Sequence, residues 1–185
     1  MNNAENVSVG KPAIEGAVFN APAGTTLPTA TATALDAAFK AMGYVSEDGV
    51  TNSNGLSTEQ IRAWGGDVVA VPQTEFSDTF QLKLIETTNI DVLGVVHGAD
   101  NVTGTLAAGV AIEVNSGELP ESSWVIDMIL RNGTAKRVVI PRGKISEMGD
   151  VVYKDDEVIG YEITIACLPD SSGNTHYEYL KAAST

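Results

Sequence analysis

The sequence predicts a mainly β fold: a two-sheet antiparallel β-sandwich or partial barrel with a flanking α-helix, a long inter-strand loop and extended termini. Three observations predict it. Asn132-Gly133 stands between two apolar runs, and an Asn-Gly pair supplies the two positive-φ residues that a type I′ hairpin turn needs. Ile159, Tyr161, Ile163, Ile165 and Cys167 alternate with Gly160, Glu162, Thr164 and Ala166, the period-2 pattern of a half-buried strand. Short apolar runs separated by Gly, Asn and Pro recur along all 185 residues, the punctuation of many short strands in one domain.

Taken in order, residues 1–16 are small and polar and read as an N-terminal arm. Ala17-Val18-Phe19 opens the first strand. Thr33 is placed as an N-cap with Asp36 three residues on, and Leu35, Ala38, Phe39 and Met42 recur at helical spacing before Gly43, so a short helix is expected over 34–42. Tyr44-Val45 resumes extended chain. Residues 46–67 are rich in Gly, Asn and Ser and read as a long loop, functional or disordered, in which Trp64 is either folded onto the core or held for a partner. Strands are expected at 68–71 and 79–85, where Phe80, Leu82 and Leu84 alternate with Gln81 and Lys83. Asn89 begins a helix that carries Ile90, Leu93 and Val96 on one side and stops at Gly98. A strand at 110–114, the hairpin around Asn132-Gly133, the alternating strand and a C-terminal arm over 169–185 with a strand-like THYEYL complete the chain.

Charge excludes several functions. The net charge of −13 disfavours a basic nucleic-acid surface and adsorption to an anionic membrane. No apolar stretch reaches the roughly 20 residues that span a bilayer, and no basic segment followed by an apolar core begins the chain, so neither a membrane segment nor a signal peptide is expected. The charge is segregated: Glu86–Asp127 holds seven acids and no base, whereas Arg131–Lys144 holds five bases (Arg131, Lys136, Arg137, Arg142, Lys144) and no acid. Such blocks either set register between copies of one molecule or pair within a subunit.

Reactive chemistry is sparse. The two histidines, His97 and His176, lie far apart in sequence; a cap role is expected for the first and a surface position for the second. No HExxH, paired CxxC, phosphate loop or GxSxG is present, and VTNSNG misses the first and last ligands of a calcium loop. The single Cys167 falls on the apolar side of its strand and reads as a buried thiol. No catalytic residue, metal ligand or cofactor is expected.

With these residues in view, the chain resembles the major tail tube proteins of long-tailed bacteriophages and prophages. The resemblance rests on VSVGKPAIEGAVFNAPAGTTLP, ALDAAFKAMGYVSEDGVTNSN, IRAWGGD, DTFQLKLIET, NIDVLGVVHG, SWVIDMILRNG, VVYKDDEVIGYEITI and GNTHYEYL, in that order and over nearly the whole chain. It implies hexameric rings that stack into a tube, with the loop at 46–67 and the chain ends as contacts between rings. Asn52, Glu59, Arg62 and Trp64 are then expected at ring-to-ring contacts, and Arg131, Lys136, Arg137, Arg142 and Lys144 at subunit contacts that fix register. The implied partners are further copies of the chain, a tape measure protein, a tail terminator and tail-tip or baseplate proteins. The implied locations are the virion tail and, before assembly, the host cytoplasm. DNA would pass through the lumen without specific binding. About 24 strands at roughly 4.8 Å spacing and about 40° tilt close a ring roughly 45–50 Å across at the backbone, wide enough for a duplex. Six copies at −13 each bring −78 to such a ring, a charge that repels DNA. The tube of a contractile tail or of an injection system shares this architecture. An adhesion or carbohydrate-binding sandwich is the alternative from another class, thinly supported by 6% aromatics.

Overall fold

Alternation decides the core. The chain, seen in a computed structural model that describes residues 2–13 and 16–183, is mainly β with antiparallel sheets and one α-helix. Its strands are β1 (Lys11–Pro12), β2 (Val18–Pro22), β3 (Lys40–Ala41), β4 (Val45–Thr58), β5 (Ile61–Arg62), β6 (Val68–Ala70) and β7 (Gln73–Leu84). After helix α1 (Ile90–His97) come β8 (Val102–Thr105), β9 (Gly109–Ile112), β10 (Ser122–Ile129), β11 (Ala135–Met148), β12 (Tyr161–Leu168) and β13 (Tyr177–Lys181). One sheet runs β3-β2-β10-β11-β12-β7-β4, with β1 joined to β10 and β13 to β11. Strand β11 serves both halves: Ala135–Val139 pairs β13, and Arg142–Met148 pairs β12. The sheet so folds over its own apolar face, giving the β-sandwich-like fold that the alternation predicts.

Pro141 sits where β11 changes partner. It lacks an N–H, and the ladder to β10 shifts register between Ser122 and Trp124, so no pair requires that donor. The Ser123 hydroxyl donates to the Pro141 carbonyl at 2.8 Å and satisfies the acceptor left there. Between the halves lie Trp124, Ile126, Val138 and Ile140 against Phe80, Leu82, Leu84, Ile163 and Ile165, with Val92, Leu93 and Val96 of α1 closing the edge. Asn89 caps α1 by accepting from the Asp91 N–H at 3.0 Å. Ile90, expected on the buried side with Leu93 and Val96, is exposed, and Val92 takes its place.

The core is closely fitted at Gly143. A Cβ there would lie 2.7 Å from Trp124 Cδ1 and 2.8 Å from Ile165 Cγ2, both in buried side chains. Gly143→Ala is therefore expected to cost about 1–3 kcal/mol of overpacking, read as a lower denaturation midpoint at unchanged m-value.

The turn expectation holds. Asn132 (φ 61°) and Gly133 (φ 73°) both take positive φ between β10 and β11. The helix expected over 34–42 does not form. The carbonyls just before it are taken instead: Arg137 Nη1 donates to Ala30 O at 3.0 Å and to Thr33 O, that of the expected N-cap, at 2.6 Å. The Asp36 side chain accepts from the Ala38 N–H at 2.9 Å, which favours a local turn over a helix. Its apolar residues also serve two cores. Leu35, Ala38 and Phe39 cover Val125 and Val139 on the outer face of the β2–β10–β11 sheet, and Met42 enters the core between the halves.

Residues 46–58, expected as loop, lie in strand β4. Its Asn, Ser and Gly residues are held extended by pairing to β7 from Val50↔Leu82 to Thr58↔Gln73. Neither terminus is a free arm throughout. β1 pairs Met128 and Ile129, and β13 pairs β11 from Val139↔Tyr177 to Ala135↔Lys181. Residues 1, 14–15 and 184–185 of the two expected arms lie outside the described residues.

Candidate assembly surface

From Thr51 onward β4 is exposed, and past Ser53↔Thr79, where β7 last pairs β12, β4 and β7 continue as a two-stranded arm. Every residue from 51 to 77 is exposed. Water on all sides of a hairpin normally selects polar side chains, yet this one displays Leu56, Ile61, Trp64, Val68, Val69, Val71 and Phe76. Trp64 is fully exposed, at the end of the arm. β5 and β6 pair at the tip, where Ala63 N donates to Asp67 O at 2.8 Å and Gly66 N to Ala63 O at 3.0 Å. The tight turn uses Gly65 (φ 120°) and Gly66 (φ 101°), conformations that side chains resist. Arg62 braces it: Nη1 donates to Gly66 O at 2.9 Å and Nη2 to Gln60 Oε1 at 2.6 Å. The Glu59 N–H donates to Pro72 O at 3.0 Å, and its carboxylate stays exposed.

At the root of the arm sits a buried carboxylate. The Asp78 side chain is fully enclosed, His176 Nδ1 lies 2.5 Å from its Oδ2, and the Thr175 hydroxyl donates to the same oxygen at 2.6 Å. Asn52 Nδ2 donates to Asp78 Oδ1 at 2.8 Å and to Thr79 O at 3.0 Å. His176, expected at the surface, instead packs edge-on to Phe80 with ring centroids 5.2 Å apart. The reason is that an enclosed carboxylate requires donors, and the turn before β13 delivers two of them. This latch ties the C-terminal strand to the arm. Asp78→Ala is expected to cost about 3 kcal/mol and to speed amide exchange in Tyr177–Lys181 ahead of the core strands. His97, expected to cap α1, sits in its last turn with its ring edge-on to Tyr161, and burial lowers its pKa. Burial, aided by the Asp78 charge, pushes the Cys167 thiol up to about 12.

The five bases of the 131–144 segment form no open patch. Arg137 is buried and makes a two-pronged bond to Asp127, at 2.7 Å from each carboxylate oxygen. Lys136 meets Glu178 at 2.8 Å, Arg142 meets Glu121 at 2.9 Å, and Lys144 meets Glu118. Hydrogen bonds from Lys144 and Arg142 hold the Glu118 and Glu121 carboxyls below their ordinary pKa. Arg131 donates to Ala4 O at 3.2 Å. The acidic and basic blocks thus meet within one subunit, and Arg137 in particular has no surface to offer a neighbour.

The structure therefore gathers Asn52, Glu59, Arg62 and Trp64 on one arm and disperses the five bases. Sequence reasoning missed the arm's aliphatic residues and the Asp78 latch. The signal for the first was available: seven large apolar residues between 56 and 76 in a segment too polar to make a core. Among the described residues no group of His, Cys, Asp or Glu is arranged to hold a metal, and no helix is long and apolar enough to cross a membrane.

Comparison with known proteins gives one family. Residues 2–184 match the family model described as Phage tail tube protein. No curated protein matches the chain.

Proposed function

The chain belongs to the phage tail tube protein family, a structural component of the virion tail, and from that premise we propose that its copies close into hexameric rings and stack into a genome conduit. The single observation that supports the stacking is the arm. A monomer gains nothing by holding Trp64 and six large aliphatic or aromatic neighbours in water, whereas a second copy can bury them. The exposed edges β3 and β4 of the main sheet supply unpaired backbone groups for lateral closure, which a ring satisfies by pairing neighbour to neighbour. The net charge of −13 per copy repels a passing duplex and disfavours sticking.

In this reading the protein has no reaction to catalyse and needs no cofactor. Its further partners are a tape measure protein, a tail terminator and tail-tip or baseplate proteins, met in the host cytoplasm where the tail is built. The test is a concentration series of purified protein followed by negative-stain electron microscopy, with light scattering for mass. Rings or tubes with an open lumen and six-fold projections are expected. Closed sandwich dimers, or rings of another order, would overturn the hexamer.

A further inference from the structure

The arm has a second end. Between Val45↔Leu84 and Val50↔Leu82 the β4–β7 ladder shifts register, so residues 46–49 bulge away from the strand. Beside that bulge opens a groove of about 790 Å³. Pro12, Ala17, Tyr44, Val50 and Met128 are among its apolar lining, and its charged residues are Lys11, Glu47, Asp48, Glu86 and Asp127, of which Glu86 already accepts from the Tyr44 N–H and Asp127 is bound to Arg137. Glu47 and Asp48 are exposed, and Lys11 is too.

Resting on the reading that copies stack, we propose that the arm tip of one copy seats in this groove of the next copy, Trp64 against the apolar lining and Arg62 against Glu47 and Asp48. Three facts select this occupant. Arg62 is the only Lys or Arg between Lys40 and Lys83, so the tip has one cation to offer and the bulge has two anions to receive it. For the tip's own acids, Glu59 and Asp67, the groove's lining holds one cation, Lys11. Guanidinium against carboxylate is directional, which suits a contact that must fix one register.

The third fact is geometric. Groove and tip lie at opposite ends of one antiparallel ladder. Val50 to Thr58 is eight steps at about 3.3 Å, so roughly 26 Å of paired strand separates them before the tip's own length is added. A paired ladder does not fold back on its own root. A copy displaced along the ladder brings tip to groove without any other rearrangement. Such a contact joins unlike surfaces, leaves a free tip and a free groove at either end, and so extends indefinitely along its axis.

The test exchanges the charges. Arg62→Glu is expected to raise the protein concentration needed for tube formation at least tenfold, and Glu47→Lys with Asp48→Lys to do the same. The three substitutions together should restore assembly, which a mere loss of the Arg62 brace on the tip turn would not allow, and all variants should melt with the wild type, since tip and bulge lie outside the core. Tubes formed by R62E at the wild-type concentration would overturn the seat while leaving the stacking reading intact. A second measurement needs no weakened contact: Ala63→Cys and Asp48→Cys in one chain, mildly oxidised, should give a ladder of covalent multimers. Cys167 stays out of this reaction because its buried thiol remains protonated. Tubes without a covalent ladder overturn the seat alone; neither tubes nor ladder at any concentration overturns both readings.

Discussion

Arg137→Met is expected to lower the melting temperature by roughly 6–20 °C, the largest stability loss of any single substitution considered for this chain. The guanidinium joins three segments distant in sequence: Asp127 on β10, directly opposite it in the β10–β11 ladder, and the carbonyls of Ala30 and Thr33 in the covering segment. Both ionic partners are largely enclosed, with side-chain exposures of 8% for Arg137 and 18% for Asp127. Removing one partner strands the other, which costs about 3–5 kcal/mol, and the two carbonyls lose their donor as well. A methionine matches the stem of the arginine and none of its bonds. Pairing the change with Asp127→Leu should recover most of the loss, because the penalty comes from the stranded charge more than from the missing attraction. Differential scanning calorimetry on the two variants distinguishes the cases; equal melting of the single and double variants would show that the carbonyl bonds dominate. The same geometry makes Arg137→Glu unsuitable as a probe of subunit contacts, since it sets two carboxylates face to face inside one subunit.

Trp64→Ala is expected to raise the concentration for assembly about 30-fold or more while leaving the melting temperature within a degree of wild type. A fully exposed indole contributes almost nothing to the monomer, so its loss there is nearly neutral. At an interface, tryptophan is among the residues whose truncation costs about 2 kcal/mol or more, and that figure corresponds to the 30-fold change. Light scattering against concentration measures it. Unchanged assembly would remove the arm tip from the set of contacts. A fall in melting temperature would show that Trp64 packs on its own subunit.

Much of the fold was legible because alternation and turn chemistry are local. The strand Tyr161–Leu168, with every second residue buried, follows from period-2 spacing, and the two positive-φ residues at Asn132-Gly133 follow from their identities. The failures share one cause. Residues 34–42 carry a helical apolar pattern, but Arg137, a hundred residues downstream, takes carbonyls just before them, and their apolar side chains divide between two cores. Residues 46–58 carry loop composition, but a partner strand holds them extended. In each case a distant segment outbids local propensity, and a single sequence does not disclose which distant segment that is. The arm could be located in advance at Asn52, Glu59, Arg62 and Trp64, because a tryptophan among glycines is conspicuous. The intrasubunit pairing of the bases could not, since charge blocks alone do not say whether their complement is in the same chain or another.

The two tryptophans also give the molecule an optical readout of its own. Trp124 is sealed in the core and Trp64 stands in water, so their emission answers to different events. Unfolding moves Trp124 toward the red and leaves Trp64 where it was. Burial of the arm moves Trp64 toward the blue and leaves Trp124 alone. Folding and association, which most proteins report through one overlapping signal, separate here into opposite spectral shifts of unlabelled protein.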